Sequence, residues 1–381
     1  DYRDIYADGI ITANELFVYL NNTLADLTDK QKPGFCQLKG HDKGEYLFLL
    51  PDFDPKKLEP APILTKAANP WMGLKSYDIK DKDLFFGRDR ALAGLLEAVK
   101  NPTTLIPVIG ISGSGKSSLV KAGLIPKLVE EGYQVIGPCR PGERCLESLR
   151  ISILRWLETL GAPAITQLKQ NNLLTLPKNW NRDAGIFWRW LQRVAAKVKT
   201  TGKVDIKQWL FAFDQFEELI TLDAAGEGKI LLEWLSKLIE IAAEKSTDST
   251  LKIVATLRSD FEGQFQEEIL SREDWMASRY VVPALSMEDI RDIVTKPAAE
   301  RVLYFDPPEL VNRLVEDVAQ MPGALPLLSF ALSELYWDYL EAVKTEERSD
   351  RTLTLAAYEK LGGVTGSLTQ RAESVYGGFD Q

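Results

Sequence analysis

TLIPVIGISGSGKSSLV, residues 104–120, joins an apolar run to a glycine-rich loop and then to a run with helical character. The glycines let the backbone wrap so that successive N–H groups converge at the start of a helix, which is a natural anion site. Residues 110–117 match the pattern G-x-x-x-x-G-K-[ST] in full, with a strand expected before the loop and a helix after it. The stretch therefore predicts a phosphate-binding loop. The residues expected to line it are Gly110, Ser112, Gly113, Ser114, Gly115, Lys116, Ser117 and Ser118.

Two side chains of this loop and one acid elsewhere in the chain suit a magnesium-bound nucleotide. Lys116 supplies a positive charge to the outer phosphates, and the Ser117 hydroxyl is a ligand for Mg²⁺. The second magnesium ligand is expected to be Asp214, because it directly follows the apolar run QWLFAF at 208–213.

Three further charged residues are candidates for catalysis. Glu217 and Glu218 follow Asp214 closely, and a carboxylate at this point can orient or deprotonate an attacking water. Both acids also fit the first turn of a following helix, where acids are favoured, and spacing gives only a slight preference to Glu217. Arg258 ends the apolar run LKIVATLR at 251–258. We predict that it senses the terminal phosphate, with a surface arginine as the alternative.

The order of apolar runs predicts the fold class. From the phosphate loop onward, strand-like runs alternate with helical ones, which indicates an α/β fold with a parallel sheet and helices on both faces. After VVPALSMEDIRDIVTKPAAERV (281–302) the pattern becomes helical, and we expect no further strands. Near the start of the chain, EYLFLL at 45–50 predicts a short buried strand.

Composition and charge exclude several classes of protein. The 381 residues carry a net charge of −9, which argues against a general nucleic-acid or anionic-membrane binder, because both need a basic surface. No apolar run approaches the roughly 20 residues of a membrane span. Three cysteines without a CxxC pair support neither a zinc ribbon nor a disulfide framework, so we expect a reducing, cytoplasmic setting. The single histidine, His41, lies in a predicted turn, which leaves no Ser–His or Cys–His pair for catalysis.

Six separated motifs resemble the novel STAND group of signal-transduction ATPases with numerous domains, over about residues 69–381. They are NPWMGLKSYDIKDKDLFFGRD (69–89), GISGSGKSSLVKAGLIP (110–126), FDQFEEL (213–219), ATLRSDFEGQF (255–265), MPGALPLLSFALSELYW (321–337) and LTLAAYEKLGGVTGSL (353–368). The resemblance implies a P-loop nucleotide-binding domain, a small helical domain and the start of a winged helix. It also implies that ADP holds a closed state and that exchange for ATP permits opening and oligomerisation.

The resemblance adds site residues outside the phosphate loop. Phe86, Gly87 and Arg88 match the segment that lines the base pocket in the family, and Pro326 matches a proline that the helical domain lays over the nucleotide. A plain helix-start turn is the alternative for Pro326. Two departures stand out: Gln215 lies where many relatives keep a second acid or a small residue, and the tail has no histidine.

The first 50 residues carry a separate signal. DIYADGIITANE at 4–15 fits a calcium loop, although Tyr6 offers no carboxylate at its third position. A plain Asp-Gly turn before a helix explains the same residues. ADGIITANELFVYL and GEYLFL also resemble the C-terminal end of prokaryotic caspase-like domains, whose catalytic residues would lie upstream of this chain. The calcium ligands would be Asp4, Asp8, Ile10, Thr12 and Glu15.

These signals predict an ATPase switch cut from a longer signalling or defence receptor. It binds ATP or ADP with Mg²⁺, hydrolyses ATP slowly, forms a homo-oligomer on activation and controls a caspase-like effector, while a missing C-terminal module senses an unknown trigger. A calcium-responsive protease with the ATPase as a scaffold, a constitutive P-loop ATPase and a binding module with a dead ATPase are the alternatives. The predicted domains are 1–50 (caspase-like remnant), 51–70 (linker), 71–285 (nucleotide-binding), 286–345 (helical) and 346–381 (partial winged helix).

Overall fold

The described residues fall into two compact units. The computed structural model describes residues 9–27, 34, 46–51, 53–54, 61–201, 206–244, 250–266, 272–319, 321, 323–345 and 350–369. The first unit comprises residues 1–63 and 346–351, and the second comprises 64–345 and 352–381.

The first unit contains a short hairpin and one helix. Strand β1 (Ile10–Thr12) leads into helix α1 (Ala13–Leu27), and β1 pairs antiparallel with β2 (Leu47–Leu49). All three side chains of β2 are exposed, so the expectation of a buried strand at 45–50 is wrong. A ribbon of two three-residue strands has too little surface to bury both of its faces.

The second unit is built on a five-stranded parallel sheet. Its strands have the spatial order β4-β5-β6-β3-β7, so β6 lies between β3 and β5. This sheet confirms the predicted α/β fold class. The strands are β3 (Leu105–Gly110), β4 (Tyr133–Cys139), β5 (Gln208–Phe213), β6 (Thr250–Arg258) and β7 (Tyr280–Val281).

Apolar side chains cover both faces of this sheet. Along β5, Trp209 and Phe211 pack into a core on one face, while Leu210 and Ala212 pack into a core on the other. Strands buried on both faces are continuous apolar runs, which explains why β3 and β5 are visible in the sequence. The helices of this part are α2 (Asp89–Lys100), α3 (Lys116–Ser118), α4 (Ile125–Glu130), α5 (Cys145–Thr159), α6 (Ala162–Gln170), α7 (Ala184–Lys199), α8 (Glu218–Thr221), α9 (Gly228–Glu244), α10 (Glu262–Phe265) and α11 (Arg272–Ser278). Between α3 and α4 the chain continues as a π-helical stretch, Leu119–Leu124.

A third apolar core belongs to the helices that follow the sheet. Trp71 packs into it together with residues of all four helices. The first of these helices begins with a capping box, in which Ser286 and Asp289 each accept a hydrogen bond from the other's backbone N–H. The helices are α12 (Met287–Glu300), α13 (Leu310–Ala319), α14 (Leu325–Lys344) and α15 (Leu355–Lys360).

Two more strands occur among these helices. Strand β8 (Tyr304–Asp306) pairs parallel with β9 (Thr352–Thr354). The expectation of no strands after residue 302 is therefore wrong. Each strand has only three residues, which is too short for a period-two pattern to stand out in the sequence. Within the part of the chain that the structure describes, none of the helices has the length and apolar character needed to cross a bilayer.

Candidate nucleotide site

The candidate site lies at the carboxyl edge of the parallel sheet. Because β6 lies between β3 and β5, the ends of these three strands bring the phosphate loop, Asp214 and Arg258 to the same edge. They line one cavity of about 760 Å³ within the second unit. Such a volume is in the range of small-molecule and cofactor sites.

The phosphate loop needs glycine at two of its turns. Gly113 and Gly115 have φ angles of 75° and 83°, in the left-handed region that other residues rarely adopt. Lys116 is buried, and its Nζ donates hydrogen bonds of 2.8 Å to the carbonyls of Gly110 and Ile111. Burial lowers the pKa of Lys116 from its ordinary value. The loop thus closes around its own lysine.

Asp214 is the centre of a small polar cluster. Its Oδ1 accepts hydrogen bonds from the hydroxyls of Ser117 (2.6 Å) and Thr256 (2.8 Å), and its Oδ2 lies 2.5 Å from Lys121 Nζ. The structure therefore brings together the two predicted magnesium ligands. A hydroxyl and a carboxylate are the hard oxygen donors that Mg²⁺ prefers, so this donor set fits the ion.

The two candidate catalytic glutamates have different surroundings. Glu218 is buried and fully engaged: Arg140 Nε donates to its Oε1 at 2.6 Å, and the backbone N–H of Gly142 donates to its Oε2 at 3.0 Å. Glu217 is also buried, and its Oε2 accepts a long 3.4 Å hydrogen bond from the backbone N–H of Arg258. Burial raises the pKa of Glu217. Both residues line the cavity.

Arg258 is turned toward a neighbouring acid. Its Nε and Nη2 donate to the two carboxylate oxygens of Asp260 at 3.1 and 2.5 Å, and its guanidinium lies 5.2 Å from the centre of the Phe261 ring. Both charged side chains are exposed, and Arg258 lines the cavity. The geometry leaves both predictions for this residue open, because a surface ion pair of this kind is easily exchanged for another anion.

The Phe86–Arg88 segment connects the phosphate loop to helix α12. Gly87 has a φ of 71°, and a Cβ at this position would lie 2.3 Å from the carbonyl oxygen of Asp289. Arg88 is buried and donates to the carbonyls of Ser114 and Pro283. Burial lowers the pKa of Arg88. Phe86 and Arg88 both line the cavity.

The start of helix α14 lies directly against the phosphate loop. A Cβ on Gly113 would be 2.2 Å from the carbonyl oxygen of Gly323, and a Cβ on Gly323 would be 2.6 Å from the carbonyl oxygen of Ser112. Leu325 and Pro326 line the cavity at this point. We call residues 323–326 the lid. The Ser118 hydroxyl, on the other side of the loop, accepts a 3.1 Å hydrogen bond from the backbone N–H of Tyr77.

The predicted calcium loop lies only partly within the described residues. Asp4 and Asp8 are outside them, whereas Ile10 belongs to β1. Thr12 and Glu15 form a capping box at the start of α1: Thr12 N donates to Glu15 Oε2 (2.7 Å), and Glu15 N donates to Thr12 Oγ1 (3.1 Å). Across the described ranges, no group of three or more histidine, cysteine, aspartate or glutamate side chains is arranged to hold a metal.

Three polar residues that contact Asp214 or Glu218 escaped the sequence analysis. Lys121 lies four residues after Ser117, which is the helical spacing that puts two side chains on one face. Thr256 precedes Arg258 by two residues on β6, so the two side chains share a face of the strand. Arg140 directly follows β4 as Asp214 follows β5. The sequence shows these spacings, but it does not show the contacts that the three side chains make.

One family model matches most of the chain. Residues 70–381 match the family model described as novel STAND NTPase 1. None of the curated proteins searched matches the chain.

Several solved structures have a distantly similar fold. The ORC1 protein of Aeropyrum pernix in complex with DNA is 16% identical, with a TM-score of 0.42 over 73% of this chain and 65% of that one. The Aeropyrum pernix ORC2 protein, in ADPNP–ADP complexes, is 16% identical, with a TM-score of 0.45 over 72% and 66%. A Walker-type ATPase of Pyrococcus abyssi is 17% identical, with a TM-score of 0.43 over 72% and 78%. The matches thus span just under two thirds of the length of the two Aeropyrum proteins.

Proposed function

The chain belongs to the novel STAND NTPase 1 family, and from this premise we propose that it is a switch controlled by adenine nucleotides. ADP holds the lid against the phosphate loop, and exchange for ATP loosens that contact. The observation that carries the proposal is the meeting of Gly323 with the phosphate loop at the edge of the cavity. A ligand bound between two contacting parts shifts their equilibrium by its different affinity for the two arrangements.

The phosphates would be held by the loop and its lysine. Lys116 would exchange its two loop carbonyls for phosphate oxygens, which offer a stronger, charge-assisted hydrogen bond. Ser117 and Asp214 would hold Mg²⁺, which when bound neutralises the developing charge on the transferred phosphoryl group.

The nucleoside would occupy the part of the cavity farther from Asp214. Its walls combine side chains from the segment before α2 with others from α12 and the lid. Such a mixed apolar wall suits a flat purine ring. The lining residues concerned are Leu74, Tyr77, Phe86, Ile293, Leu325 and Pro326.

Glu217 is our choice for the residue that positions the attacking water. Glu218 already accepts hydrogen bonds from Arg140 and Gly142, so moving its buried carboxylate would break an ion pair and leave a backbone N–H without its partner. The Glu217 carboxylate accepts a long hydrogen bond from the backbone N–H of Arg258, and burial raises its pKa, which brings a carboxylate closer to the range useful for general-base catalysis.

We attribute slow hydrolysis to the contacts of Lys116. This buried lysine is held by two loop carbonyls and must leave them before it can stabilise a transition state. We further propose oligomerisation on opening and control of a caspase-like module at the start of the chain, as the resemblance implies. The calcium loop has no support among the described residues, where Glu15 acts as a helix cap.

Nucleotide retention and turnover test the proposal. The nucleotide released from purified protein by denaturation should be ADP by mass spectrometry, and hydrolysis by the isolated chain should be far below the roughly 1–1,000 s⁻¹ of ordinary enzymes. Glu217→Gln should abolish the remaining hydrolysis while Glu218→Gln retains part of it. Rapid steady turnover without any partner would refute the switch and favour a constitutive ATPase.

A further inference from the structure

Lys121 makes a short ion pair inside the candidate metal site. Its Nζ lies 2.5 Å from Asp214 Oδ2, and the two side chains are only 18% and 7% exposed. Oδ1 of the same carboxylate is occupied by the hydroxyls of Ser117 and Thr256. Both oxygens of the carboxylate are therefore engaged by the protein.

The Lys121–Asp214 ion pair neutralises the buried carboxylate, which a bound Mg²⁺ would otherwise do. A buried carboxylate without a nearby positive charge is strongly unfavourable, and more so when phosphates lie in the same cavity. Lys121 supplies that charge from within the chain. It competes with Mg²⁺ because both need the negative charge of Asp214.

The Lys121 ammonium group can move away from Asp214. It lies on the π-helical stretch Leu119–Leu124, lines the cavity and is held to the site through a flexible four-carbon stem. A compact ammonium on such a stem can swing between partners at little cost. The pair can therefore open when a stronger cation arrives and close when it departs.

We propose that Lys121 is an internal counter-ion that takes the place of Mg²⁺ at Asp214 and allows the site to hold a nucleoside diphosphate without metal. The inference rests on the proposed function, because it presupposes that the cavity binds nucleotide. It adds a regulatory consequence: loss of Mg²⁺ after hydrolysis does not leave Asp214 facing the diphosphate uncompensated, so the closed state persists.

Calorimetric titration with ADP, in EDTA and in Mg²⁺, tests the proposal. The quantity of interest is the dissociation constant in EDTA divided by that in Mg²⁺. Lys121→Met keeps the length of the side chain and removes its charge, so this ratio should rise by about tenfold or more, because metal-free binding weakens and Mg²⁺ loses its competitor. Lys121→Arg should keep the ratio near that of the unmodified chain.

Two controls make the result decisive. Lys127→Met removes a lysine of the next helix, α4, that is 55% exposed and pairs with Glu130 at 3.3 Å, so it should leave the ratio unchanged. In an Asp214→Asn background, Lys121→Met should have no further effect, which also guards against a general folding defect. An unchanged ratio in Lys121→Met, with ADP still bound, would overturn the role of Lys121 alone. Absence of ADP and ATP binding to the unmodified chain would overturn the proposed function and this inference together.

Discussion

Replacing Gly323 by alanine would disturb the lid without altering the phosphate loop itself. The new Cβ would lie 2.6 Å from the carbonyl oxygen of Ser112, and the φ of 80° at this position is unfavourable for any residue with a Cβ. Gly226 provides a matched control. Its φ is 67°, and a Cβ there would meet nothing within 4 Å.

The two variants separate backbone strain from collision with the loop. Left-handed backbone costs an L-residue about 1–2 kcal/mol, and both variants incur that cost. Overpacking adds about 1–3 kcal/mol, and only Gly323→Ala incurs it. Since the collision exists only when the lid lies on the loop, the excess falls on the closed arrangement. Converted to affinity, 1–3 kcal/mol is about 5- to 150-fold weaker binding of a ligand that needs the closed form.

Calorimetry with ADP and urea unfolding together provide the assay. We expect Gly323→Ala to weaken ADP binding within that range and Gly226→Ala to leave it unchanged, with both variants folded at 25 °C. Hydrogen exchange at the start of α14 should become faster in Gly323→Ala only. Equal ADP affinities for the two variants would refute the idea that lid closure over the phosphate loop is coupled to the nucleotide.

Three other substitutions test separate parts of the site. Burial raises the pKa of Glu217 above its ordinary 4.5, so the native state binds more protons than the unfolded state above that pH, and stability falls as pH rises. Glu217→Gln cannot titrate, so the urea midpoint of this variant minus that of the unmodified chain should increase from pH 4.5 toward neutrality. A difference that stays constant with pH would contradict the pKa shift. Arg140→Gln deprives buried Glu218 of its charged partner and should cost about 1–2 kcal/mol in urea unfolding, discounted because the Arg140 side chain is 62% exposed; a loss below about 0.5 kcal/mol would show that the pair contributes little. Gly87→Ala places a Cβ 2.3 Å from the carbonyl of Asp289 and should cost more than about 2 kcal/mol by thermal unfolding, whereas a neutral effect would mean that this contact with α12 is loose.

The parts of the fold that could be predicted are those that a continuous stretch of sequence determines. Strands β3 and β5 are buried on both faces and are nearly continuous apolar runs, while the apolar run of β6 is interrupted by Lys252 and Thr256. The phosphate loop follows β3, Asp214 follows β5 and Arg258 ends β6. Parallel pairing then brings the polar ends to one edge. The phosphate loop adds glycines at turns that demand positive φ.

Contacts between distant segments could not be predicted in the same way. Lys121 meets Asp214, and Gly323 meets Ser112, across separations of 93 and 211 residues. No local pattern encodes such pairs, since they depend on how helices pack against the sheet. The pairing of β8 with β9 belongs to the same class, because its two strands are three residues long and separated by two helices.

The exposed strand β2 illustrates a different limit. Its leucines and phenylalanine form an apolar run like that of β3, yet the described strand is exposed. Apolar composition indicates that a segment suits a sheet, but its burial depends on whether other elements pack against the strand.

The most direct test of the account is a titration of the chain with Mg²⁺–ATP and with ADP, compared with its Lys116→Ala variant. The account predicts one site per chain for each nucleotide, lost in Lys116→Ala and kept in Lys127→Ala, whose lysine lies on α4 away from the cavity. Failure of the unmodified chain to bind either nucleotide, or equal binding by Lys116→Ala, would contradict it.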